Sequence, residues 1–132
     1  MGRSDQIREA QPHDIASDER VTSIPQTFLE CLGSALHHVN PSRAIIFGSV
    51  AVKGLSARDL DLLVVSEFFK QILWQNRPKL LQLPPGPPYD LRLFTAYEFE
   101  TFYPIGSPFR TSIEGNHMDI TRYCVDSHSG SK

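Results

Sequence analysis

The stretch Asp59-Leu-Asp-Leu-Leu-Val-Val65 constrains this chain more than any other part of it. Leu and Val in an unbroken run predict a buried strand over residues 59–65. Side chains two apart on a strand share a face, roughly 6.5–7 Å apart at the Cα atoms. Asp59 and Asp61 therefore point the same way out of sequence that otherwise favours burial. Two carboxylates so placed repel each other and lose hydration, and the strand gains nothing from either. Two environments resolve the conflict. In one, Asp59 faces solvent at the strand entry while Asp61 pairs with Arg58 or Arg92. In the other, both acids hold a divalent cation, and oxygen donors of this kind suit Mg²⁺ or Mn²⁺.

The rest of the chain supplies alternating elements around that strand. Phe28, Leu29, Leu32, Leu36 and Val39 recur at helical spacing, with Ser23 placed to cap and Pro25 in the first turn. Asn40-Pro41 ends that helix. Arg43-Ala-Ile-Ile-Phe47 predicts a first strand, broken by Gly48-Ser49. Ser66 caps an expected helix through Phe68, Phe69, Ile72 and Leu73. The Pro84-Pro-Gly-Pro-Pro88 run is incompatible with helix and delivers the chain into a third strand, Tyr89 to Thr95. A short helix is expected from Ala96 to Tyr103, and a last strand-like run from Ile120 to Val125. Strands separated by helical stretches predict an α/β fold, a small mixed sheet flanked by helices.

Two more places carry chemistry. Gly48 lets the backbone turn sharply and approach a ligand, and the amides that follow, with the Ser49 hydroxyl, suit phosphate oxygens; an ordinary strand-to-helix turn explains the same residues. Asp90 opens the third strand, where Asp90, Arg92 and Phe94 alternate with Tyr89, Leu91 and Leu93. If that strand lies beside 59–65, Asp90 meets the aspartate pair. Otherwise it is an edge acid paired with Arg92.

Taken together, Ile46-Phe-Gly-Ser-Val-Ala51, Asp59-Leu-Asp-Leu-Leu-Val-Val65 and Tyr89-Asp-Leu-Arg-Leu93 resemble the polymerase-beta-type nucleotidyltransferase superfamily. More narrowly, the chain is similar to the small stand-alone minimal nucleotidyltransferases. The resemblance spans about residues 25–125. It implies a polymerase-beta-like nucleotidyltransferase fold and transfer of a nucleoside monophosphate from a nucleoside triphosphate, ATP first, to a hydroxyl of a protein or small molecule. By the same resemblance Asp59, Asp61 and Asp90 are the metal-binding and catalytic acids for two Mg²⁺ ions, with Asp90 also activating the acceptor hydroxyl. Gly48 and Ser49 would hold the triphosphate. Lys53 and Arg58, cations in the loop before the first acid, are expected at the pyrophosphate. The spacer from Val50 to Arg58 is nine residues, one shorter than in most minimal members, and Arg58 stands where they carry a small hydroxyl residue. Such proteins also pair with helical HEPN-type partners in toxin–antitoxin systems. The alternative function is accordingly a weakly catalytic or non-catalytic interaction module of that kind.

Composition narrows the field further. Thirteen Lys and Arg against fifteen Asp and Glu argue against a broadly basic surface, so a long nucleic acid is an unattractive partner. No apolar run approaches the roughly 20 residues of a membrane helix, and Met1 to Arg20 lacks the apolar segment of a signal peptide. A cytoplasmic protein is expected. Cys31 and Cys124 read as two unpaired core thiols in a reduced compartment. Residues 1–20 set three arginines against five acids without apolar periodicity and read as a flexible arm; residues 126–132 read as a flexible tail. The folded domain is then about residues 21–125, and a partner or second copy must complete the site. His37 and His38 fit a helix C-terminus, His117 and Asp119 a polar turn, and Trp74 with Phe68 and Phe69 the core.

Overall fold

The computed structural model describes residues 24–48 and 50–125. The expected arm over 1–20, the expected cap Ser23, Ser49, expected at the triphosphate, and the expected tail over 126–132 lie outside the described residues.

The helices are α1 (Gln26–His37), α2 (Val50–Lys53), α3 (Ala96–Phe102) and α4 (Pro108–Gly115). The strands are β1 (Arg43–Phe47), β2 (Leu60–Val65), β3 (Tyr89–Phe94) and β4 (His117–Asp119). They form one mixed sheet in the order β3-β2-β1-β4, with β2 and β3 parallel and the other two pairs antiparallel. The predicted mixed α/β architecture is the observed one.

Alternation along the strands assigns each face its cover. Leu60, Leu62 and Val64 of β2, with Ala44 and Ile46 of β1, meet the stripe of Phe28, Leu29, Leu32 and Leu36 on α1. Full burial of each such leucine is worth about 1.5–3 kcal/mol in transfer free energy. Gly33 lets this helix approach the chain end closely, because a Cβ there would lie 1.9 Å from the Tyr123 carbonyl oxygen. On the opposite face Ile45, Phe47, Leu63 and Val65 pack with Phe94, Phe99 and Ile113 under α3 and α4. Asp61 and Asp90 belong to this second face.

Three local expectations are corrected. The helix predicted through residues 68–73 is a 3₁₀ segment, Glu67–Gln71. Ser66 does cap it, its Oγ accepting from the Phe68 amide at 3.0 Å. The Phe69 and Ile72 carbonyls, however, accept from the Arg77 guanidinium at 3.0 and 2.9 Å, and Ile72 is extended. The final strand lies at His117–Asp119 rather than 120–125, so His117 and Asp119 are strand and not turn. Asp119 Oδ1 accepts from the Thr121 amide at 2.9 Å and its hydroxyl at 2.6 Å, which turns the chain into the 3₁₀ segment Thr121–Cys124. Helix α4 was not expected; Ser107 accepts from the Arg110 amide at 3.5 Å and Pro108 opens the first turn.

The thiol and aromatic assignments also divide. Cys124 is buried, whereas Cys31 is exposed, lying beside the buried stripe of α1 rather than on it. Phe69 is in the core, but Phe68 and Trp74 are each about half exposed.

Candidate active site

Parallel pairing of β2 with β3 sets Asp61 directly beside Asp90. Both side chains leave the sheet on the α3/α4 face, since Asp61 also stands opposite Phe47 in β1, a member of that core. Partial burial and the facing Asp90 carboxyl, within hydrogen-bonding range, raise the Asp61 pKa above its ordinary 3.8. Arg92 pulls the other way, and the charge of Asp59 raises it further. Asp59 itself sits just before β2 and is exposed, so only Asp61 of the pair is set within the strand. The three predicted acids thus come to one end of the β2–β3 ribbon, with Asp61 and Asp90 in contact and Asp59 outside them.

Gly48 forms the back of this end. Its φ of +75° follows β1 directly, a left-handed conformation that glycine adopts without penalty. A Cβ at this position would lie 2.2 Å from Asp61 Oδ2. The glycine therefore serves the carboxylate as well as the turn: its missing side chain is the space Asp61 occupies.

Arg92 is the cation that reaches the acids. One strand step beyond Asp90 on the same face, it places Nη2 3.6 Å from Asp90 Oδ2 and its guanidinium over the Phe109 ring at 5.0 Å. Its Nε is buried and has no hydrogen-bond partner. The structural alternative raised for Asp90, pairing with Arg92, is therefore realised, while the one raised for Asp61 is not: among the described residues it forms no ion pair with Arg58 or Arg92. Lys53 and Arg58 are exposed and pair with no acid among the described residues. His37 and His38, at the C-terminus of α1 as expected, are used structurally, with His37 Nδ1 2.9 Å from the Cys124 carbonyl oxygen and His38 Nε2 2.7 Å from that of Leu80.

Among the described residues no group of three or more His, Cys, Asp or Glu side chains is gathered closely enough to ligate one ion. The Asp61–Asp90 pair nevertheless fits a magnesium site in its donor chemistry. Mg²⁺ is commonly held by one or two carboxylates, with waters and substrate phosphates completing the shell. Two facing carboxyls, one of them with a raised pKa, are also the kind of pair that a cation relieves.

A residue set that the sequence reading did not assemble lies next to this pair. A groove of about 270 Å³ runs along the outer side of β3, lined by residues 91–94, Trp74, Pro78 and Tyr103. Its wall is held by Arg77, which is buried and spends all five donors: on the carbonyls of Phe69, Ile72 and Leu93 and, bidentately, on Glu98 at 2.7 and 3.0 Å. Nothing near Arg77 in sequence signals this role, because its partners come from three other segments. A larger hollow of about 740 Å³, beside the outer face of α1 and containing Cys31 and His38, is remote in the fold from the acids. No protein-family model, no curated protein and no solved structure matches this chain.

Proposed function

We propose that the chain is a Mg²⁺-dependent nucleotidyltransferase that passes a nucleoside monophosphate from a nucleoside triphosphate, ATP first, to a hydroxyl group of a protein or small molecule. The observation that carries the reading is the in-register contact of Asp61 with Asp90 on parallel strands, backed by Gly48 and entered by Asp59. Two acids in contact at the mouth of an apolar sheet repel each other, and Arg92 pairs only with Asp90; the motif that contains them resembles that superfamily's.

Each residue then has a task. Asp59, Asp61 and Asp90 would hold the two Mg²⁺ ions that the resemblance implies, and these would supply positive charge to the entering and leaving oxygens of an in-line displacement. Asp90, the most exposed of the strand acids, accepts the proton of the acceptor hydroxyl as its oxygen bonds to the α-phosphorus and pyrophosphate departs. Arg92, 3.6 Å away, orients Asp90. The turn at Gly48 and the exposed Lys53 and Arg58 are placed on the phosphate side. An exposed lysine and arginine on mobile stems need closure by substrate or a partner to act there.

One observation favours a second reading. Asp59 stands apart from the other two acids, so no three-ligand cluster is preformed. That suits an interaction module, working with a helical HEPN-type protein or as a homodimer, in which the site is vestigial.

Incubation with Mg²⁺ and nucleoside triphosphates labelled at the α or γ phosphorus separates the two. Label transferred from the α position to protein or to an added hydroxyl acceptor supports the transferase. Transfer from γ alone, or no Mg²⁺–nucleotide binding by the folded protein, refutes it.

A further inference from the structure

We propose that the groove outside β3 docks an extended, acidic peptide segment of another protein as an added strand, running past Asp90. The inference rests on the transferase reading only in making a hydroxyl of that segment the acceptor.

The backbone of β3 is half free. Among the described residues the strand ends the sheet, so one of its edges has no neighbour there. The Leu60 amide donates to the Pro88 carbonyl and the Ser66 amide to that of Phe94, both at 2.8 Å. Alternation then turns residues 88, 90, 92 and 94 toward β2 and residues 89, 91 and 93 outward. The outward carbonyl of Leu93 is taken by Arg77 at 2.9 Å, which confirms the assignment. Leu91 presents both its amide and its carbonyl to the groove. An open edge of this kind pairs with extended chains unless something blocks it.

The walls indicate what kind of chain. Trp74 is 47% exposed with its ring 5.5 Å from that of Phe94, and Tyr103 stands across from it, so apolar side chains find aromatic surfaces. Arg92 lines the same groove with its side chain 36% exposed, and its ion pair with Asp90 is long, at 3.6 Å. A carboxylate on the incoming segment complements it. Asp90 is one residue from Leu91, so a side chain of the added strand near Leu91 comes beside the proposed proton acceptor.

The test uses a blocked hexapeptide in which valine alternates with glutamate and serine, with no nucleotide or Mg²⁺ present. Two readouts serve: emission of Trp74, the one tryptophan of the chain, and hydrogen exchange at the Leu91 amide. The expected result is a saturable change in emission with at least tenfold slower exchange at Leu91. The glutamine counterpart should bind several-fold more weakly and a lysine counterpart weaker still. Leu91→Pro removes the outward amide while leaving the inward bonds of its neighbours, and should abolish the response. Trp74→Phe, followed by exchange alone, checks that the groove survives without the indole.

Leu91 already protected in the free protein overturns the proposal. So does the absence of any response up to millimolar peptide, or equal binding by Leu91→Pro or by the lysine peptide. Peptide binding without any α-phosphoryl transfer would overturn the transferase and leave the docking groove standing. Transfer to small hydroxyl compounds without peptide binding would do the reverse.

Discussion

Replacing Gly48 with alanine tests whether the turn and the acid are one device. The left-handed φ of +75° costs an L-residue about 1–2 kcal/mol. The new Cβ, 2.2 Å from Asp61 Oδ2, also forces that carboxylate to swing aside. The carboxylate is the free end of a partly exposed side chain, so its displacement costs about 0.5–1.5 kcal/mol as an off-rotamer penalty. Alanine recovers roughly 0.4–1 kcal/mol through a less flexible unfolded chain. The net loss is about 0.5–3 kcal/mol, a fall in Tm of roughly 2–20 °C for a domain of this size. Thermal melts of Gly48→Ala, Asp61→Ala and the double variant form a cycle. In the Asp61→Ala background only the backbone strain remains, so the two changes should couple by about 0.5–1.5 kcal/mol. Additivity within about 0.3 kcal/mol would refute the close approach. An unchanged Tm in Gly48→Ala would refute the left-handed turn itself. Loss of Mg²⁺–nucleotide binding is expected to accompany the loss of stability, because the same carboxylate is displaced.

Other outcomes follow from particular contacts. Burial and the facing Asp90 raise the Asp61 pKa, so its ionisation costs stability as pH rises above the ordinary 3.8; Asp61→Asn should be at least as stable as the parent at pH 7, with that advantage vanishing below pH 3.8 in urea titrations. A loss of about 3–5 kcal/mol at pH 7 would instead identify Asp61 as half of a buried ion pair. Arg77→Met should cost about 3–5 kcal/mol in denaturant unfolding, because Glu98 and three carbonyls lose their donor. The hydrogen bonds from Arg77 hold the Glu98 carboxyl below its ordinary 4.5, so its stabilisation is complete above that pH and is lost as pH falls through the lowered value; Glu98→Gln should flatten this acid limb. Iodoacetamide at pH 8 should label exposed Cys31 in the native protein and Cys124 only on unfolding, since burial and the charge of Asp119 push the Cys124 thiol up to about 12. Equal labelling of both would show that the α1 packing against Thr121–Cys124 is misread.

The parts legible from sequence were those governed by near neighbours. Short apolar runs located β1 and β2, alternation located β3, and the 28/29/32/36 stripe located α1. Two acids entering an apolar strand marked the site before any contact was known, because an uncompensated pair there carries a cost that a residue-by-residue reading can detect. The helix through 68–73 failed for a non-local reason: Arg77 captures the carbonyls that would have continued it. The last strand shifted because Asp119 can accept from Thr121 and thereby turn the chain just where the apolar run begins.

By itself the sequence determined an α/β chain, three acids at the openings of apolar strands, and a glycine turn after the first strand. Only the tertiary structure decided that β3 pairs in parallel with β2 in the register that joins Asp90 to Asp61, and that Asp59 stays outside the pair. It alone decided that the empty space at Gly48 is filled by Asp61, and that Arg92 rather than Lys53 or Arg58 reaches the carboxylates. The division has a physical cause. Local pattern sets what each strand buries, whereas register, edge and ion pairing are set by energies between segments far apart in the chain, which no single segment encodes.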